Sequence, residues 1–256
     1  MPESRLAHLR MPEVTERTFE VAVFPIGSTE PHAFHLAYCT DAVAITRFAE
    51  QAVAEAANRG AKCLLLPTLP ISCNENVRLC PWAMSFQPRT LMDIVGDVVR
   101  TCERNGVRKV VVLNGHGGNT SVLQAAQREL SSKCESFVGL VEQWALSHDV
   151  ELELAETEER GHACETETSI MLHLAPEFVK MEAARPTRSR KTIFSEGRIT
   201  FVPYWHLLTT NTGLGDPTKA TADKGRRMID AAIDRLAQAL KELSDAPIDE
   251  LFPYKD

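Results

Sequence analysis

Four short apolar runs, rich in β-branched residues, occur in the first 141 positions: Val21 to Ile26, Cys63 to Leu66, Val110 to Leu113 and Phe137 to Val141. They show little alternation of apolar and polar residues, so a sheet built from them must be covered on both faces. Helical patterns lie between most of them. From Asp41 to Asn58 the apolar residues Val43, Phe48, Ala52, Val53 and Ala56 recur near the 3.6-residue period, and Gly60 follows as a stop. From Pro88 to Arg104 the apolar set is Leu91, Ile94, Val95, Val98 and Val99, with Gly106 just beyond, and Thr120 to Leu130 follows the third run. Strands alternating with helices predict an α/β fold with a mainly parallel central sheet. No repeat or linker divides the chain, so residues 1 to 256 are expected to form one domain.

The remaining composition narrows the partners. The formal charge of −7 arises without a block of Lys or Arg that could follow a phosphate backbone, so nucleic acid is not an expected partner. No run approaches the roughly 18 apolar residues of a membrane span, and the start Met1-Pro2-Glu3-Ser4-Arg5 lacks a signal-peptide pattern. A cytoplasmic location with no membrane partner is the expectation. Seven cysteines without a C-x-x-C pair read as reduced thiols that mostly fill the core. From about Gly197 to Pro217 the chain is rich in Gly, Pro, Thr and aromatics, including Tyr204, Trp205 and His206; a long helix is then expected from about Thr218 to Leu243.

Ligands of a covered parallel sheet gather where loops leave the carboxyl ends of its strands. Three clusters of acids and histidines sit in such places. The first, Gly27-Ser28-Thr29-Glu30-Pro31-His32-Ala33-Phe34-His35-Leu36, follows the first strand, and Asp41 starts the next helix. In extended backbone Glu30 and His32 point to one side, and Asp41 can reach the same place. Such a mixed carboxylate and imidazole set suits zinc, manganese or iron better than calcium. The plainer alternative makes Asp41 a helix cap and the others local hydrogen-bonding groups.

The second cluster, Asn114-Gly115-His116-Gly117-Gly118-Asn119, follows the third strand directly. Its glycines permit a tight turn and close approach to a metal, while Asn114 and Asn119 can fix the loop. An anion-cradling loop is the competing reading, although it has no Lys. The third cluster, Arg160-Gly161-His162-Ala163-Cys164-Glu165-Thr166-Glu167-Thr168-Ser169, leads into an apolar helical stretch. There His162, Glu165 and Glu167 offer an imidazole and two carboxylates; dipole-favoured acids and a Thr cap are the alternative.

In this order the clusters resemble the creatininase (creatinine amidohydrolase) family, whose pattern reads approximately G-S-x-E-x-H-G-x-H-L-x-x-x-T-D, then N-G-H-G-G-N, then H-A-G-E-x-E-T-S. The resemblance spans roughly residues 15 to 245 and implies a three-layer α/β/α sandwich, assembled as a homo-oligomer, commonly a hexamer. It also implies hydrolysis of a C–N amide bond with two divalent metal ions, Zn and/or Mn, with Fe a further option. By the resemblance, Glu30, Asp41 and His116 hold one metal, and Asp41 bridges to a second that His32 also holds. Creatininase proper carries a carboxylate where this chain has Gly118, so another acid must complete the second site: Glu165 is the first choice and Glu167 the reserve. His162 matches the histidine that assists proton transfer, Glu167 is the other catalytic candidate, and His35 matches a supporting position.

The chemistry fits these residue types. A metal lowers the pKa of bound water from near 16 to about 7 and so supplies hydroxide, while His162 can protonate a departing nitrogen. Asn114, Asn119 and Trp144 are expected around the metals or the substrate, with Trp82 and Trp205 as further aromatic walls and Arg78 or Arg160 as carboxylate anchors. Pro31, Ala33, Ala37, Tyr38, Cys39 and Cys164 depart from the commoner residues, as does Ser72 to Arg78, which points away from creatinine itself towards another small cyclic amide, a formamide or a peptide end. Two other readings are a metal-containing protein that binds a small metabolite without turnover, and a sugar- or nucleotide-phosphate enzyme using the Gly-rich loop.

Overall fold

The computed structural model describes residues 3–194 and 199–254, so Met1, Pro2 and Gly197 lie outside the described residues. Its helices are α1 (Met11–Thr15), α2 (Thr40–Asn58), α3 (Pro88–Arg104), α4 (Thr120–Leu130), α5 (His148–Leu154), α6 (Glu165–Leu174), α7 (Trp205–Leu208) and α8 (Ala222–Asp245). Its strands are β1 (Val21–Ile26), β2 (Cys63–Leu65), β3 (Lys109–Asn114), β4 (Phe137–Glu142), β5 (Arg160–His162) and β6 (Leu214–Gly215).

The first four strands form one parallel sheet in the order β2-β1-β3-β4, with Ala22 opposite Val110 and Val110 opposite Val138. All six residues of β1 and all six of β3 are buried. Successive side chains of a strand point to opposite faces. Accordingly Val21, Val23, Val111 and Leu113 pack with Phe48, Met171, Ile229 and Leu236 of α2, α6 and α8. On the other face Ala22, Phe24, Ile26, Val110 and Val112 meet Leu91, Val95 and Val99 of α3 and Leu123 and Ala126 of α4. The outcome is the three-layer α/β/α arrangement.

β5 and β6 form a separate antiparallel pair, which the sequence patterns did not reveal. The long C-terminal helix begins at Ala222 rather than near Thr218, because Pro217–Lys219 make a 3-10 turn and the Thr221 hydroxyl accepts the Lys224 N–H as an N-cap. Among the described residues no helix is long and apolar enough to cross a membrane.

Candidate metal centre

The carboxyl ends of β1 and β3 are adjacent, since Ile26 pairs with Asn114, so the two loops that follow them start side by side. The N-terminus of α2 closes over the first loop at Gly27, where an added Cβ would lie 2.5 Å from the Ala42 Cα. That approach brings Asp41, in the first turn of α2, towards the β1 and β3 loops. The second loop is shaped by its asparagines. Asn114 Oδ1 accepts the His116 N–H at 3.1 Å and Asn119 Nδ2 at 3.1 Å, Asn114 Nδ2 donates to Glu142 at 2.7 Å, and Asn119 Oδ1 accepts the Cys73 N–H at 3.1 Å.

His116 thereby places Nδ1 3.0 Å from Glu30 Oε1 and 3.0 Å from Asp41 Oδ2. On the other side of Asp41, Oδ1 lies 3.0 Å from His32 Nε2. His32 Nδ1 meets the Glu30 carbonyl at 3.1 Å; donation there leaves Nε2 as the free lone pair. Donor atoms of His32, Asp41 and Glu167 lie within 4.8 Å of one another, as do those of Glu30, Asp41 and His116, and those of Glu30, His32 and His162. Asp41 belongs to the first two groups.

Glu165 is elsewhere. Its carboxylate accepts the Glu156 and Thr157 N–H groups, the Thr157 hydroxyl at 2.7 Å and the Lys224 ammonium at 2.6 Å. Residues two apart on an α-helix differ by about 200° in direction, so Glu165 and Glu167 cannot face one site. The structure thus takes Glu165, the first choice for the fifth ligand, away from the centre, and it is the reserve, Glu167, whose carboxylate lies with His32 and Asp41. An acid at position 118 has no room either: a Cβ there would lie 2.4 Å from His116 Nε2 and 2.8 Å from the Cys73 carbonyl.

The electrostatics suit a cation. Glu30 and Asp41 are buried, and Glu30 Oε1 and Asp41 Oδ2 have no hydrogen-bond partner among the described residues. Burial alone would raise both acids, but the charges of His116 and His162 beside Glu30, and of His32 and His116 beside Asp41, hold them below the usual carboxylate range. Burial opposes charge on His32 and His116 as well; Asp41 outweighs it and takes His32 up to about 10, and Glu30 with Asp41 takes His116 well above its ordinary value. Burial keeps Glu167 raised despite His162 and His32. Oxygen and nitrogen atoms of buried residues about 3.0 Å apart, the two oxygens without a hydrogen bond, match donors that share a metal at bond lengths near ~2 Å. The same anionic surroundings oppose a phosphate at the Gly-rich loop.

His162 Nε2 contacts the Pro31 carbonyl at 3.0 Å, its Nδ1 is 3.9 Å from Glu30 Oε1, and its ring lies against His32 and Trp205 at centroid distances of 4.2 and 4.9 Å. His35 stands behind the centre, with Nε2 2.8 Å from the Thr168 hydroxyl; burial and the neighbouring His32 push it down to about 4, which keeps it neutral. Glu167 is tied by the Ala163 N–H at 2.5 Å. A cavity of about 770 Å³ opens over these residues, walled by Trp144, Trp205, Phe201, Gln143 and Arg160. Arg160 is engaged with Glu151 at 3.1 Å. Trp82 is 89% exposed and Arg78 stacks 5.5 Å from the Tyr204 ring, and neither belongs to the cavity wall. Sequence reasoning missed Phe201, Gln143 and the Pro31 carbonyl, because neither an apolar loop residue nor a main-chain oxygen carries a motif.

The family model described as creatininase, creatinine amidohydrolase, matches residues 7–240. The chain belongs to the creatininase family. Creatininase-family members are metal-dependent amidohydrolases, and this chain is an enzyme of that kind. Among its relatives, a mycofactocin precursor peptide peptidase of Mycobacterium ulcerans is 28% identical over 234 residues, 86% of each chain. A 3-dehydro-scyllo-inosose hydrolase of Thermotoga maritima is 24% identical, covering 93% of this chain and 82% of that one. A creatinine amidohydrolase of Pseudomonas putida is 25% identical, with 87% and 89% covered. A Bacteroides fragilis crystal structure assigned as a creatinine amidohydrolase superposes with a TM-score of 0.88 at 28% identity, covering 98% of this chain and all of that one. A manganese form of creatininase superposes with a TM-score of 0.79 at 21% identity, over 95% and 99%, which supports the shared creatininase fold.

Proposed function

We propose that the chain hydrolyses a C–N amide bond in a small cyclic amide, a formamide or the end of a peptide, using two divalent cations, zinc or manganese. Glu30, Asp41 and His116 would hold one ion, and Asp41, His32 and Glu167 the other. The observation that carries this reading is the shared carboxylate: Asp41 offers Oδ2 to His116 and Oδ1 to His32, each at 3.0 Å. A bound metal of this type supplies a water acidic enough to be hydroxide near neutral pH and polarises a carbonyl.

The remaining work falls to the chain's own groups. With Nε2 donating to the Pro31 carbonyl, His162 has Nδ1 free to accept a proton and to hand it to the departing nitrogen. Trp205 fixes that ring from one side. Trp144 and Phe201 present apolar faces that would flank the substrate and exclude water. The cavity falls in the range of ordinary small-molecule sites and exceeds what a ring of a few atoms fills. This favours a substrate with an appended group, and the relative named as a peptide peptidase agrees with it. We also infer a homo-oligomer, a hexamer by the family resemblance; exposed Trp82, Leu79 and Phe34 supply apolar surface for it.

The test is metal analysis followed by turnover. Protein loaded with zinc or manganese should carry two ions per chain and cleave members of a panel of lactams, formamides and dipeptides. Equal turnover by the His116→Ala protein would refute the assignment.

A further inference from the structure

Four non-glycine residues among those described have left-handed backbone: Ala33 (φ 54°), Trp82 (φ 55°), Ala163 (φ 49°) and Thr212 (φ 65°). Three of them collect around one peptide oxygen. Ala33 and Pro31 flank His32, Ala163 follows His162, and Thr212 precedes β6, which pairs with the strand that ends in His162. The left-handed region is hardest on β-branched side chains, and such conformations persist where the surroundings over-determine them, often next to a functional site.

We propose that Thr212 is a positioning residue that sets the angles of His32 and His162. The proposal rests on the reading of His32 as a metal ligand and of His162 as the proton carrier. The Thr212 hydroxyl donates to the Pro31 carbonyl at 3.0 Å and accepts the Ala33 N–H at 3.2 Å. Those two bonds bracket residue 32 and fix both peptide planes adjoining it, so the Cα–Cβ direction of His32 is set from outside its own loop. The same Pro31 oxygen meets His162 Nε2 at 3.0 Å. One carbonyl, oriented by Thr212, therefore governs which nitrogen of His162 carries the proton and leaves Nδ1 towards Glu30.

The segment bearing Thr212 is pressed onto this loop. An added Cβ at the next residue, Gly213, would lie 3.1 Å from the Ala33 Cβ, and the Gly213 N–H is held by Asn211 Oδ1 at 3.0 Å. Thr212 itself is 8% exposed, so water does not compete freely for its hydroxyl. Glycine or asparagine would adopt this φ with less strain. Neither offers a hydroxyl on Cβ, which both donates and accepts within one short reach. The hydroxyl is thus the property that this position contributes.

The test compares Thr212→Ala, which removes the hydroxyl, with Thr212→Ser, which keeps it. Each protein is stripped, titrated with zinc against a chromophoric chelator, and assayed on whichever panel amide the wild type cleaves. Support of ligating histidines typically changes metal affinity about 10- to 100-fold, so Thr212→Ala should weaken the second zinc by that factor. It should also lower kcat about 10-fold or more with KM within roughly twofold, because ring orientation acts on the chemical step. Thr212→Ser should restore both to within about threefold, including the case in which Thr212→Ala lowers the melting temperature. Wild-type zinc affinity in Thr212→Ala overturns the proposal, and so does a Thr212→Ser protein as impaired as Thr212→Ala, since packing rather than the hydroxyl would then be at work. A wild type that binds two zinc ions but cleaves no amide sinks the hydrolytic reading alone, because the zinc affinities still decide the role of Thr212. A wild type that binds no zinc overturns both.

Discussion

His116 Nδ1 stands 3.0 Å from Glu30 Oε1 and 3.0 Å from Asp41 Oδ2, and neither oxygen has an aligned hydrogen bond. Two buried carboxylates converge on one imidazole, each with an oxygen outside any hydrogen bond, an arrangement whose cost a cation offsets. Replacing His116 by Ala removes one donor and leaves two carboxylates facing one another. The expected outcome is loss of at least one metal per chain and a fall in kcat/KM of about 10²-fold or more, corresponding to roughly 3 kcal/mol. Elemental analysis and initial rates check it; unchanged metal content would contradict it.

Glu165 and Glu167 should separate stability from chemistry. Glu165 is buried and paired with Lys224 at 2.6 Å, and breaking a buried pair from one side costs about 3–5 kcal/mol. Lys224 retains some exposure and a second partner in Glu156, which places Lys224→Met at or below about 3 kcal/mol. Denaturant unfolding of Lys224→Met should show that loss with the metal content intact. Glu167→Gln should do the reverse, losing the second metal and turnover, while its unfolding midpoint measured in chelator stays near that of the wild type in chelator. Matching behaviour of the two variants would contradict the assignment of Glu167.

Metal removal should itself destabilise the fold. A ligand that binds only the native state stabilises it by about 4 kcal/mol at a thousand times its dissociation constant. Chelation followed by thermal melting should therefore lower the transition, and zinc or manganese should restore it. A melting curve indifferent to chelator and to added metal would show that the buried acids are satisfied without an ion.

Much of this was legible in the sequence, and the failures share a cause. The runs at Val21 and Val110 became buried strands because unbroken β-branched segments have few alternatives once both faces are covered. The first two clusters were placed correctly at strand ends because a strand-to-helix loop has one geometric destination. Glu165 and Glu167 were ambiguous because spacing two means the same side in a strand and opposite sides in a helix; only the start of α6 at Glu165 decides between them. β5 and β6 are three and two residues long, too short for any periodicity to register. Thr212 carries no local mark, since its partners Pro31 and Ala33 lie about 180 positions away.

The cysteines offer a last test of how the layers are packed. Cys63, on β2, and Cys102, near the end of α3, are buried on opposite faces of the sheet, and burial pushes their thiols up to about 12 and about 11. Cys164 is likewise buried at the cap of α6 and is raised to about 11, first by burial and then by the neighbouring Glu167. Because thiolate is the reactive form, these three should be silent at pH 8 on both counts, access and ionisation. Cys39, Cys80 and Cys134 are only partly buried and should supply the thiols that react with a disulfide reagent in the native protein. All seven cysteines are free, so denaturant should expose the complete set. Fast labelling of Cys63 or Cys102 in the folded protein, identified by peptide mapping, would mean that α2 and α8 or α3 and α4 leave the sheet far more readily than this packing allows.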